Sequence, residues 1–99
     1  MNNFGLPDRT INELLEYFSH KTDIEKVIIF GSRAKGTYKT GSDIDFAIIT
    51  DNHNDFHRIS DELEELPTPY RFDIIDYKSL THKKMKESID KFGQIFYKK

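Results

Sequence analysis

Two aspartates, Asp43 and Asp45, stand two residues apart at the head of an apolar run, Asp43-Ile-Asp-Phe-Ala-Ile-Ile-Thr50. Side chains alternate along a strand, so both carboxylates leave the same side while Ile44, Phe46 and Ile48 leave the other. The same parity in Tyr70-Arg-Phe-Asp-Ile-Ile-Asp-Tyr77 buries Phe72 and Ile74 and turns Asp73 outward. Asp76 shares the Phe72 side but stands at the strand end, where it can reach water. Three acids on one side of a small sheet repel one another. A divalent cation relieves that repulsion. Mg²⁺ takes oxygen ligands, commonly one or two carboxylates plus substrate phosphates. Two such ions about 3.5–4 Å apart can clamp the attacking and leaving oxygens of a displacement at phosphorus. Taken alone, a D-x-D pair is more often ordinary polar alternation on a half-solvated strand.

A second element lies upstream. Gly31-Ser32 follows the apolar run Val27-Ile-Ile-Phe30 directly. Backbone N–H groups at the junction of a strand and a helical turn are unpaired and can hold phosphate, and glycine lets the chain form such a nest. The Ser32 hydroxyl can donate to a phosphate oxygen. Arg33 and Lys35 add positive charge close by. The spacing fits neither a P-loop nor a dinucleotide fingerprint.

These elements need a frame. Ile11, Leu14, Leu15 and Phe18 recur as one helix face, with Pro7 and Asp8 suited to its first turn. Strands are expected at 27–30, 43–50 and 70–77, and a short helical turn at 32–35. A second amphipathic helix carries Phe56, Ile59, Leu63 and Leu66 and stops at Pro67 and Pro69. A last helix is expected from an N-cap at Thr81, with Leu80 and Met85 as a hydrophobic staple, to Gly93. The tail Gln94-Ile-Phe-Tyr97 is too short to assign. The link 31–42 is short for a parallel crossover, so the first two strands pair antiparallel or sit in a mixed sheet. The expected fold is α/β (α+β): a single domain over 1–99, a small mixed sheet with helices on one face and the other left open.

Composition narrows the function classes. Ninety-nine residues without cysteine make one domain with no disulfide and no thiolate metal site, which suits the cytoplasm. No run is long and apolar enough to span a membrane. A net charge of -2 argues against direct nucleic-acid binding. The charge is uneven: residues 1–77 balance at -7 and residues 78–99 at +5, so the lysine-rich end is a solvated helix or a basic end that meets phosphates or an acidic partner. His53 and His57 share a helical spacing but lack a third zinc ligand. Tyr38 lies between the two motifs, free to stack on a base or to stand in solvent.

Gly31-Ser32, ten residues, then Asp43-x-Asp45 resembles the G-S-x₁₀-D-x-D pattern of DNA polymerase beta-like nucleotidyltransferases. The stretch Gly31 to Phe46, GSRAKGTYKTGSDIDF, is similar to their small prokaryotic members, the minimal nucleotidyltransferases or MNT proteins. The resemblance implies the polymerase beta-like fold. It implies Mg²⁺ ligands at Asp43, Asp45 and Asp73, and a triphosphate cradle at Gly31 and Ser32, with Arg33 as a further nucleotide contact. It implies Mg²⁺, two ions, with ATP as substrate. MNT proteins are paired with a small helical HEPN toxin, so the resemblance further implies an antitoxin that adenylylates a tyrosine of its HEPN partner. The motifs and their helices use nearly all of the chain, so a large acceptor is expected to be the partner itself. Two other readings stand beside this one: transfer to a small molecule such as an aminoglycoside, and a non-catalytic module that only masks a toxin.

Overall fold

The structure, a computed structural model, describes residues 3–99. Helix α1 (Asp8–Ser19) leads into strand β1 (Ile24–Phe30), the one-turn helix α2 (Gly31–Lys35) and strand β2 (Ile44–Thr50). A 3₁₀ turn at His53–Asp55 precedes α3 (Phe56–Glu64) and β3 (Phe72–Asp76). A second 3₁₀ turn at Tyr77–Ser79 precedes α4 (Lys83–Phe92) and β4 (Gln94–Lys98). The strands order as β3-β2-β1-β4. β1 pairs antiparallel with both β2 and β4, and β2 pairs parallel with β3. This is the expected mixed sheet, and chain length explains it. The link through α2 is short for a parallel crossover, and β2 returns antiparallel. The link through α3 is long enough for such a crossover to β3.

Alternation along the strands decides the layers. Val27 and Ile29 of β1 and Ile44, Phe46 and Ile48 of β2 have no exposure, and they meet Leu14 and Phe18 of α1 and Ile59 and Leu63 of α3. Aromatic rings fill the centre: Phe46 lies 5.5 Å from Phe18 and 5.0 Å from Phe96, centroid to centroid. Offset and edge-on ring pairs of this kind add to what their burial contributes. The second face is not bare. One row below the acids it carries Ile28, Ala47 and Ile75, and Ala47 is fully buried. Helix α4 contacts β1 and α2 and brings Ile89, buried outside the main cluster. Among the described residues no helix is long and apolar enough to cross a membrane.

Three expectations change. β1 starts at Ile24 rather than Val27: Lys26 pairs with Ile49, and a bulge at Glu25 lets the pairing continue to Ile24 through charged residues that interrupt the apolar pattern. The unassigned tail is the edge strand β4, and its Phe96 packs into the core. Helix α4 is capped by His82, whose Nδ1 accepts from the Met85 amide at 3.1 Å, not by Thr81. That one-residue shift takes Leu80 and Met85 out of staple register, and Met85 is left exposed.

Candidate active site

Cross-strand register brings the acids together. Phe30 of β1 pairs with Asp45 of β2, and Asp45 pairs with Asp73 of β3, so the three residues form one row across the sheet. Neighbouring strands lie about 4.8 Å apart, and residues in register on adjacent strands project to the same side. Asp45 and Asp73 therefore stand side by side. Asp76 lies three positions further along β3, in register with Ile48 as the pair partner of that row's core side, away from the Asp45 row. Asp43 sits just before β2 and is exposed, as is Asp73, while Asp45 is half-buried.

The electrostatics report the same grouping. The Asp45 carboxyl is pushed up to about 6, first by burial and then by the negative charges of Asp73 and Asp43, with Arg33 pulling the other way. Each of the other two acids thus acts on the central one. Such a group carries more negative charge than the fold itself neutralises, and every donor atom in it is an oxygen. Those properties suit a hard divalent cation. Among the described residues no group of three or more His, Asp or Glu side chains is placed to hold a metal ion by itself. The His53 side chain, one half of the weak zinc pair, lies outside the described residues.

Gly31 opens the next turn against the acids. Its φ is +71°, a left-handed conformation that side chains disfavour, and a Cβ built there would overlap the Asp45 carboxylate. Only glycine satisfies both conditions. A left-handed residue followed by right-handed helical residues turns successive N–H groups into one concavity, the geometry of an anion nest. Ser32 follows on α2 and is partly exposed. At the far end of α2 Gly36 is again left-handed, at φ +81°, and the Thr37 amide closes onto the Ser32 carbonyl at 3.0 Å.

The Arg33 side chain turns into the fold rather than toward solvent. Its side chain is 2% exposed, and its guanidinium donates to the carbonyls of Phe4 and Ser42. In sequence it reads as one more cation beside the glycine turn. The helical step from Ser32 to Arg33 sends its side chain inward instead. The Tyr38 and Tyr70 rings both lie within cation–π distance of the guanidinium and, with Arg33, line a cavity of about 330 Å³ between the loop 38–41 and the approach to β3.

Residues 12–99 match the family described as Polymerase beta, Nucleotidyltransferase. Over 73 residues the chain is 36% identical to a Haemophilus influenzae protein named as a probable protein adenylyltransferase, MntA, a stretch covering 71% of this chain and 63% of that one. The chain therefore spans less than two-thirds of that relative. Among solved structures, a toxin–antitoxin with AMP-PNP aligns with a TM-score of 0.69 at 20% identity, covering 95% of this chain and 75% of that one. An MNT antitoxin in complex with a tri-AMPylated Shewanella oneidensis HEPN toxin aligns at 0.66 and 14%, covering 92% and 71%. At those identities the likeness is one of fold.

Proposed function

The chain belongs to the polymerase beta nucleotidyltransferase family, and from that premise we propose that it transfers AMP from ATP to a hydroxyl of a partner HEPN toxin, a tyrosine hydroxyl, and so acts as the toxin's antitoxin. The observation that carries the reading is the row of Asp45 and Asp73 with Asp43 beside it and Gly31 packed on Asp45. It sets an acid cluster and an anion nest in contact. The relative named as a protein adenylyltransferase and the fold shared with MNT–HEPN complexes support the choice of acceptor.

In this reading Asp43 and Asp45 hold Mg²⁺, two ions in all, with Asp73 completing the set. When bound, the metal neutralises the triphosphate and makes the α-phosphorus open to attack. The Gly31 and Ser32 amides and the Ser32 hydroxyl hold the β- and γ-phosphates and fix the direction in which pyrophosphate departs. The acceptor oxygen forms a bond to the α-phosphorus as the bond to the bridging oxygen of the β-phosphate breaks. Asp73, the most exposed end of the row, takes the hydroxyl proton. Most of the acceleration then comes from position and charge, as is general where phosphorus is transferred between oxygens.

The test is direct. The protein is incubated with its HEPN partner, ATP and Mg²⁺, and the partner is weighed by mass spectrometry. One or more added AMP units on a tyrosine are expected, and none with the double variant Asp43→Asn, Asp45→Asn. An unmodified partner that is still bound and silenced by that double variant would make the chain a masking module. Label transferred to an aminoglycoside without any partner would make it a small-molecule enzyme.

A further inference from the structure

Arg33 heads the fully buried side chains by volume, and among the described residues none of the ion pairs includes it. Asp45 acts on it only beyond contact distance, and a cation taken out of water without a paired carboxylate is costly unless fixed dipoles replace the lost hydration. The fold supplies them from segments far apart in the chain. Nε and Nη2 donate to the Ser42 carbonyl at 3.2 and 2.8 Å, and Nη1 donates to the Phe4 carbonyl at 2.9 Å. The ring centroids of Tyr38 and Tyr70 lie 5.4 and 5.1 Å from the guanidinium. Phe4 and Gly5 both take positive φ, +57° and +71°, which bends the N-terminal segment over this site, and Gly5 lies against the Tyr38 ring with no room for a Cβ.

What Arg33 holds matters more than what it is made of. Ser42 immediately precedes Asp43. Its carbonyl receives two of the three guanidinium bonds, its amide donates to the Lys39 carbonyl at 3.0 Å, and its hydroxyl accepts from the Lys39 amide at 2.8 Å. On the other side of Asp43, the Ile44 amide donates to the Arg71 carbonyl at 2.8 Å. Asp43 is therefore an exposed residue between two fixed neighbours. Arg33 itself is rooted in α2, two residues from Gly31.

We propose that Arg33 is a positioning residue: through the Ser42 carbonyl it sets Asp43 and the start of β2 against the Gly31–Ser32 turn, so that acid cluster and phosphate nest keep one spacing. This deepens the reaction proposed above and rests on Asp43 and Asp45 being its metal ligands. It assigns Arg33 to the metal side of the site and removes it from contact with the nucleotide. Displacement of a reacting group by about 1 Å can cost on the order of 100-fold in rate.

The variant Arg33→Lys keeps the charge and loses the planar fork that spans two carbonyls. It is expected to lower kcat at least tenfold and to weaken Mn²⁺ binding to the metal-free full chain, read by electron paramagnetic resonance, by a similar factor. KM for ATP is expected to stay within about threefold, since the binding energy of the phosphates is left in place. A raised KM with unchanged kcat and unchanged Mn²⁺ affinity would overturn the proposal in favour of direct phosphate contact. Should the variant lose its fold, the unaltered protein carries the test. Its Arg33 Nε–H resonance is expected to move on adding Mg²⁺ alone and to stay in place on adding AMP-PNP in chelator; the reverse pattern would overturn the proposal. Metal affinity and the resonance need no turnover. Failure of the unaltered protein to modify any acceptor would sink the proposed reaction while leaving these two readouts to judge Arg33.

Discussion

Replacing Asp45 with asparagine should abolish transfer and yet make the metal-free protein more stable above neutral pH. The Asp45 carboxyl is raised from 3.8 to about 6, by burial and by Asp73 and Asp43. A raised acid binds its proton more tightly in the folded state than in the unfolded one. Stability therefore falls as pH climbs from about 4 to about 6, and stays at the lower level beyond, because the folded state must then carry the charge. Asparagine copies the shape of the protonated acid and never ionises. One pKa unit is worth about 1.4 kcal/mol, so the full shift sets a ceiling of about 3 kcal/mol. Asp45 is only half-buried, and solvent screening cuts this to roughly 1.5 kcal/mol. For a domain of this size that is a rise in Tm of roughly 6–12 °C, at about 4–8 °C per kcal/mol. The assay is thermal unfolding of Asp45→Asn and the unaltered protein in chelator at pH 4 and pH 8. The gain should be present at pH 8 and absent at pH 4. Equal gains at both values would trace the effect to packing, and no gain at pH 8 would show that neither burial nor the charges of Asp73 and Asp43 raise the Asp45 carboxyl. Saturating Mg²⁺ should shrink or reverse the difference, because a ligand of the folded state stabilises only the protein that binds it.

Other perturbations probe other links. Gly31→Ala places a side chain at positive φ and into the Asp45 carboxylate; at least 1–2 kcal/mol of stability is expected to go by the left-handed penalty alone, and AMP transfer should fall with it, read by unfolding midpoint and partner mass. Asp73→Asn is expected to reduce kcat at least 100-fold as a lost proton acceptor and ligand, with ATP affinity by calorimetry nearly unchanged. Phe96→Ala removes a ring from among Phe4, Phe18 and Phe46; a loss of about 3 kcal/mol, the low end for such truncations, should appear in urea unfolding, together with faster hydrogen exchange along β1.

Much of the site could be read along the chain because the relevant physics is local. Period-two alternation places Asp43, Asp45 and Asp73 outside the core without any knowledge of which strands touch. A glycine directly after an apolar strand announces a turn that no larger residue could make. The length of each link decides antiparallel against parallel pairing. Other features hid from such reasoning. The β4 pattern is five residues long and acquires meaning only when β1 offers it an edge and the Phe46 ring offers Phe96 a contact. The capping of α4 turns on whether Thr81 or His82 meets the Met85 amide, a choice that propensity alone decides the wrong way.

Sequence by itself determined the inventory: which acids leave the core, where a glycine must turn the chain, and three of the four strands. Tertiary structure alone decided the neighbours. Asp73 rather than Asp76 stands beside Asp45 because the register of β2 on β3 says so. Arg33 turns inward because the carbonyls of Phe4 and Ser42 and two tyrosine rings converge on it from three parts of the chain. Side-chain direction within a strand follows from covalent geometry. Register between strands and the fate of a long cation depend on contacts that exist only once the chain has closed.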